Sequence, residues 1–363
     1  MSEIYEQLKK VGEAFRIPGA LYSIDRVTNG NINSTYKVTY EENGTFHGYI
    51  LQKINTLVFH NPKEVMANIG LVTSFIEKHF PQDKTEHFYE TAAGENYLFA
   101  EDHSFYRIMD FIDSDTFNMT EDPVIIRSTG KGFGRFQVQL AGLDGSRLYE
   151  TIPDFHNTKK RYEALWDAAS RDPRGRRAEV QNELNYLKSV EEKACDLSIR
   201  FAKGEFPVRV THNDTKCNNI LFDKKTKEPL AVIDLDTVMP GMAMYDFGDG
   251  VRFIANTAAE DEPETGKVAL SLEKYEAFTE GFLSEVKLSL TGAEIKALPL
   301  GAFSATAELA VRFLTDYLEG DTYFKTLYPL HNLVRTRAQI ALAQDMEKKW
   351  TAMNEIIAKC AED

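Results

Sequence analysis

Through the first third of the chain, apolar residues recur at every second position. "ALYSIDRV" and "STYKVTY" alternate in this way and read as two strands around the loop "TNGNIN". A third strand, "GYILQKI", follows Asn43-Gly44, a dipeptide suited to a two-residue hairpin turn. The period then changes. "PKEVMANIGLVTSFIEKHF" carries Val65, Ile69, Val72 and Phe75 or Ile76 at helical spacing. "NYLFA" and "SFYRIMDFI" return to strand patterning around Glu101-Asp102-His103. The predicted order is three strands, a helix and two strands: an antiparallel sheet with one helix packed on it.

Beyond Asp113 the pattern is helical. "VIIRSTGKGFGRFQVQLAGL", "EVQNELNYLKSVEEKACDLSIRFAKG" and "SLEKYEAFTEGFLSEV" repeat at helical spacing, as do "ALPLGAFSATAELAVRFLTDYLEG" and "HNLVRTRAQIALAQDMEKKWTAMNEIIAKC". The interruption is "VTHNDTKCNNILFDKKTKEPLAVIDLDT", two short strands around a charged turn with a polar loop on either side. "SRDPRGRRAE" reads as a solvated connection into a helix. The expected fold class is α+β and bilobal, with residues 1–112 forming an N-terminal sheet lobe and 113–363 a larger, mainly helical lobe.

Composition narrows the function classes. The chain has 363 residues and 43% apolar content, enough for a substantial core. Its 42 basic and 56 acidic residues give a net charge of −14, which disfavours nucleic acid and anionic lipid as partners. Cys195, Cys217 and Cys360 are too few and too scattered for a disulfide framework or a zinc site. The first residues lack the apolar core of a signal peptide, and no run reads as long enough to span a bilayer. A cytoplasmic protein is the expectation, with a monomer as its expected state.

The polar loop offers chemistry. His212-x-Asp214-x4-Asn219 has the spacing at which an Asp can accept a hydroxyl proton while an Asn binds a divalent cation. On this segment alone, a turn whose Asp and Asn cap their own backbone is an equal reading. Twenty residues after Asp214, "AVIDLDT" puts Asp234 at a strand end and Asp236 two positions on. Two carboxylates on successive same-side positions repel unless a cation lies between them, and Mg²⁺ suits that role. In "TNGNINSTYKV", Gly30, Asn31, Asn33, Ser34 and Thr35 form a loop whose N–H groups can cover phosphates. "GKGFG" follows no strand, and Phe133, Phe136 and Leu140 share one helical face, so that segment reads as core. Cys217 lacks an identifiable base and reads as a small filler.

Taken together, these segments resemble the aminoglycoside phosphotransferase and choline kinase family, which has a protein-kinase-like fold. "RVTHNDTKCNNILFD", "AVIDLDTVMPGMAMYDFGDGVRF", "RFLTDYLEGDTYF" and "YPLHNLVRTRAQIALAQDME" resemble most closely its bacterial N-acetylhexosamine 1-kinases. "GNINSTYKV", "YILQKINT" and "IPDFHNTKKRY" extend the likeness over nearly the whole chain. The resemblance implies transfer of the ATP γ-phosphoryl group to the anomeric hydroxyl of GlcNAc or GalNAc. Asp214 would be the base, Asn219 and Asp234 the Mg²⁺ ligands, with Asp236 a further ligand. His212 and Asp246 would support the loop, and the backbone around Met109 and Phe111 would meet the adenine. Asn31, Phe253, Arg312 and Tyr323 are the sugar-contact candidates. For Arg312 the competing reading is an i,i+4 ion pair with Asp316; for Phe253 it is an ordinary core position. One departure stands out: Gln52 occupies the third-strand position where kinase-like folds carry a phosphate-binding Lys, with Lys53 on the opposite face. A kinase for a thiosugar, choline or an aminoglycoside is the first alternative. A nucleotide-binding module without transfer activity is the second.

Overall fold

The computed structural model describes residues 3–27 and 33–362. It opens with a helix, α1 (Glu3–Glu13), that no periodicity reading had singled out. Three strands follow, β1 (Ala20–Val27), β2 (Ser34–Glu42) and β3 (Thr45–Ile54), then α2 (Pro62–His79), β4 (Leu98–Phe99) and β5 (Phe105–Asp110). The sheet is antiparallel in the order β1-β2-β3-β5-β4. Asn43 (φ 52°) and Gly44 (φ 81°) are both left-handed and close the β2–β3 hairpin, as the dipeptide predicts. Period two separates the faces of the sheet. Val38, Tyr40, Leu51, Tyr106 and Ile108 bury against Leu8 and Val11 of α1. Ile54 and Phe105 turn to the other face, where Val65, Ile69, Val72 and Ile76 of α2 cover them.

The rest is helical apart from two short ribbons. In order come α3 (Pro123–Gln139), α4 (Thr158–Arg171), α5 (Gln181–Ala202), β6 (Arg209–Thr211), β7 (Ile220–Phe222), β8 (Pro229–Val232) and β9 (Met239–Gly241). After them come α6 (Ala243–Ile254), α7 (Leu272–Val286), α8 (Gly292–Glu319), α9 (His331–Lys348) and α10 (Trp350–Glu362). β6 pairs with β9 and β7 with β8, so both polar segments leave from paired strands at one place. The last predicted helix is two, broken at Lys349, where the Lys193 ammonium lies 3.7 Å from the Trp350 ring centroid.

Two close helix contacts fix the scaffold. A Cβ on Gly130 of α3 would lie 2.1 Å from Phe278 O, and one on Gly281 of α7 would lie 1.9 Å from Arg127 O. Gly130 and Gly134 of "GKGFG" therefore let α3 and α7 touch along their backbones, and Phe133, Phe136 and Leu140 are all buried. At 28 residues, α8 is long and apolar enough to span a membrane, contrary to the sequence expectation, but 83% of its most apolar window is buried within the fold. The basic loop also differs from its expected role. Arg171 pairs with Glu319, and Arg176 Nη1 donates to Tyr317 O (2.7 Å) and Asp321 (2.6 Å). These cations hold the C-terminal end of α8, where helix carbonyls lack partners and attract positive charge.

Candidate active site

The loop after β6 is held in shape by α6. Asp246 accepts the backbone N–H groups of His212 (2.9 Å) and Asn213 (2.8 Å), together with Gln137 Nε2 (2.6 Å). Burial pushes the Asp246 carboxyl up. Thr215 adds two bonds to the same helix, from Oγ1 to Asp246 O and from its N–H to Asp249 Oδ2. His212 is fully buried between Phe133 and Phe136. Its Nδ1 accepts the Asp214 N–H (3.3 Å) and its Nε2 donates to Ile233 O (2.9 Å), so it ties the loop to the chain just before Asp234. Asn213 takes the left-handed turn (φ 66°) and spends its amide on Thr211 O and Thr237 O.

This frame brings Asp214, Asn219 and Asp234 together. Asn219 Nδ2 donates to Asp214 O (2.8 Å) and Asp214 Oδ2 (3.3 Å). Asn219 ends a single 3-10 turn (Cys217–Asn219), and the strand begins one residue later, at Ile220. Asp234 sits in a left-handed bend (φ 63°, ψ 52°) after β8. Its carboxyl is pushed up to about 6, first by burial and then by the charges of Asp236 and Asp214, with Arg107 opposing. Among the described residues, no group of three or more His, Cys, Asp or Glu is placed to hold a metal ion. The donor set on offer is an amide and a buried carboxylate with a second carboxylate beside it. Hard oxygens that leave room for phosphate oxygens fit Mg²⁺.

Asp236 is arranged differently from the expectation. The bend at Asp234 starts a 3-10 turn (Leu235–Thr237), so the two carboxylates are not successive same-side strand positions. Asp236 is 3% exposed, and both its oxygens are taken. Arg107 Nη1 of β5 donates to Oδ1, and Asn33 Nδ2 donates to Oδ2 at 2.7 Å. The cation beside Asp236 is thus a guanidinium from the sheet. Arg107 also forks onto Gln52 Oε1 (2.9 and 2.7 Å). Buried Glu86 completes the group: its carboxylate accepts the Asp234 N–H, and burial raises it to about 8 despite the opposing charge of Arg107.

On the other side of Asp214 lies a second set of charges. Lys216 Nζ is 2.7 Å from Asp214 Oδ1. Asp249 is paired with Arg252, which also reaches Glu260 (2.9 Å). Burial works to raise Asp249, but Arg252, Lys216 and His156 outweigh it and hold the carboxylate low. His156 Nδ1 bonds Glu308 (2.9 Å), and the His156 ring stacks on Tyr245 at 4.5 Å. A cavity of about 180 Å³ opens here, lined by Phe155, His156, Asn213, Met239 and Tyr245. Arg312 lies over the rings of Phe155 (5.1 Å), Phe324 (5.5 Å) and Tyr323 (5.9 Å). The alternative pair with Asp316 does not form, because Asp316 accepts the N–H groups of Thr322, Tyr323 and Phe324 instead. Tyr323 is 62% exposed, and Phe253 is partly buried against the core.

The remaining candidates spread along the sheet. Asn33 fixes the Asn55 N–H as well as Asp236. Ser34 and Thr35 begin β2, and Gly30 and Asn31 lie outside the described residues. Met109 is buried on β5, whereas Phe111 is exposed beyond it with Lys37 3.9 Å from its ring centroid. From there residues 111–122 run to α3, and Asp115 pairs through its backbone with Phe222 at the end of β7. Sequence reasoning missed Arg107, Glu86, Asp249, His156 and Glu308. For Arg107 a signal existed: it stands directly opposite Gln52 in the β3–β5 register.

Comparison with known proteins agrees with this architecture. Residues 23–280 match the family described as APH, the phosphotransferase enzyme family. Among solved structures, an aminoglycoside phosphotransferase from Alicyclobacillus acidocaldarius superposes with a TM-score of 0.64 at 12% identity, covering 97% of this chain and 96% of that one. A microcompartment-associated aminopropanol kinase gives 0.58 at 15% identity over 96% and 98%. A choline kinase from Cryptosporidium parvum gives 0.56 at 13% identity over 99% of both chains. At these identities the likeness is one of fold.

Proposed function

The chain belongs to the phosphotransferase enzyme family, and from that premise we propose that it transfers the γ-phosphoryl group of ATP to the anomeric hydroxyl of an N-acetylhexosamine. The observation that carries this reading is the convergence of Asp214, Asn219 and Asp234 on a loop anchored by Asp246. In the reaction, the sugar O1 forms a bond to the γ-phosphorus as the bond from that phosphorus to the β,γ-bridging oxygen breaks. ADP leaves, and the O1 proton passes to Asp214. Asn219 and Asp234 would hold Mg²⁺, which when bound neutralises phosphate charge. Asp214 orients O1 in line, and Lys216 stands beside it where charge shifts. Positioning and charge neutralisation supply most of the rate in such transfers.

Local charge supports a neutral acceptor over a cationic one. Asp249, Glu260 and Glu308 each have a cationic or imidazole partner, and among the described residues no carboxylate lies within ion-pair distance of Arg312. A site for an aminoglycoside calls for carboxylates facing the ligand and one for choline for carboxylates or open aromatic rings, but here the rings of Phe155, Tyr323 and Phe324 already meet the Arg312 guanidinium. A guanidinium framed by Phe155 and Tyr323 suits hydroxyl and amide oxygens together with the apolar face of a sugar ring. ADP release measured over GlcNAc, GalNAc, simple hexoses, choline and aminoglycosides tests the reading. Release with GlcNAc or GalNAc is expected. Release with the cationic alcohols alone, or with no acceptor, would overturn it.

A further inference from the structure

Phosphate-binding lysines act through charge, yet the third-strand side chain linked through Arg107 to the Asp234 turn is the neutral Gln52. Its surroundings make its orientation unambiguous. Gln52 pairs directly with Thr35 on one side and Arg107 on the other. Arg107 donates both Nε and Nη2 to Gln52 Oε1, and Gln52 Nε2 donates to Thr35 Oγ1 at 3.3 Å. Turning the amide over would set its N–H groups against guanidinium N–H groups, donor against donor. The amide is therefore held with its donors toward Thr35, where β2 leaves residues 28–33. Arg107 itself is 1% exposed, with Phe88 at 5.5 Å and Met66 Sδ at 3.8 Å from the guanidinium. It is buried behind the Gln52 amide. Its third nitrogen, Nη1, holds Asp236 in the turn that begins at Asp234.

We propose that Arg107 is a positioning residue with two arms: one fixes Gln52 as a neutral hydrogen-bond donor to the nucleotide's phosphates, and the other fixes the Asp234 turn through Asp236. This chain thus separates two tasks that one lysine can combine. The buried charge organises the site from behind, while an amide faces the phosphates. The assignment rests on the proposed use of ATP as phosphoryl donor, so its test reads nucleotide binding and not sugar transfer.

Gln52→Glu is the decisive variant. A carboxylate keeps both bonds from Arg107, so the fold is retained, but it presents an oxygen to the phosphates in place of an N–H. Titration calorimetry with Mg²⁺ and ADP is expected to show binding weakened by about tenfold to a hundredfold, with melting unchanged or raised. Arg107→Lys keeps a cation for Asp236 but cannot fork onto Gln52. It is expected to weaken ADP binding several-fold and raise the KM for ATP, leaving the KM for the acceptor alone. Wild-type affinity for ADP in a folded Gln52→Glu protein would overturn the assignment, as would equal losses in the KM of both substrates in Arg107→Lys. Failure of the wild-type protein to bind ADP would instead overturn the ATP-dependent reading beneath it.

Discussion

Lys216 Nζ lies 2.7 Å from Asp214 Oδ1, so the carboxylate assigned as base is already ion-paired by a residue two positions along its own loop. Burial works against the Lys216 ammonium, but Asp214 and Asp249 outweigh it and push its proton affinity up, so it stays charged. Both partners are partly exposed, at 33% and 23%, so the pair contributes little stability, about 1 kcal/mol at most. On the proposed function its consequence is catalytic: a fixed cation would stand where charge moves between acceptor, phosphate and ADP. Lys216→Ala is expected to lower kcat on the order of a hundredfold with the melting temperature nearly unchanged. Lys216→Arg should recover part of the loss. Steady-state kinetics with matched melting curves check this, and an unchanged kcat would return Lys216 to a surface role.

Asp246 should matter to both fold and rate. Two backbone N–H groups and one amide converge on its buried carboxylate. Asp246→Ala leaves them without a partner and is expected to cost about 3 kcal/mol in chemical denaturation, together with a large fall in kcat. A variant that melts like wild type would show that the loop needs no such anchor.

The contact between α3 and α7 predicts a sharp size limit. A methyl group on Gly281 has a backbone oxygen 1.9 Å away, whereas one on Gly266 meets nothing within 4 Å. Gly281→Ala is expected to destabilise the protein by about 3 kcal/mol, and Gly266→Ala to leave it within about 0.5 kcal/mol of wild type. Equal melting curves would contradict the helix–helix contact.

Cys217 sits in the loop between β6 and β7 that carries Asp214, fully buried, with Thr129 Oγ1 at 3.3 Å from its sulfur. Burial pushes its thiol up from 9.0 to about 11, so almost no thiolate exists at neutral pH. The native protein should resist iodoacetamide at this position at pH 8, and Cys217→Ala should keep its activity. The sign of the pH effect follows. With the folded thiol titrating above the unfolded one, its stabilisation is complete below pH 9 and is lost as pH rises toward 11. Rapid labelling of Cys217 in the folded protein would contradict this.

Much of this was legible in the sequence because periodicity is local. The strands around Asn43-Gly44, the buried face of α2 and the helices α3, α5 and α7 to α10 follow from spacing, whereas α4 and α6 were not read from it. The polar loop was legible for the same reason, since His212, Asp214 and Asn219 lie within eight residues. What escaped depends on distant partners. Arg107 looks like one polar residue in a strand, and only strand register shows that it faces Gln52 and reaches Asp236, 129 positions away. Glu86 lies in a stretch with no periodicity, so nothing local marks it as buried. The Asp234–Asp236 spacing suggested one face of a strand, but the left-handed bend at Asp234 starts a 3-10 turn in which Asp236 is taken up by Arg107 and Asn33. Arg171, Arg174 and Arg176 of the basic loop looked solvated because the helix end they hold is more than a hundred residues downstream.

The central claim is that Asp214 is the base of a phosphoryl transfer to a sugar hydroxyl. Asp214→Asn preserves the shape of the loop and removes the proton acceptor, so turnover with ATP and GlcNAc or GalNAc should fall by about a thousandfold or more. Calorimetry on the same variant should show ADP and sugar binding within a few-fold of wild type. Retention of more than a few per cent of wild-type turnover in that protein would contradict the assignment.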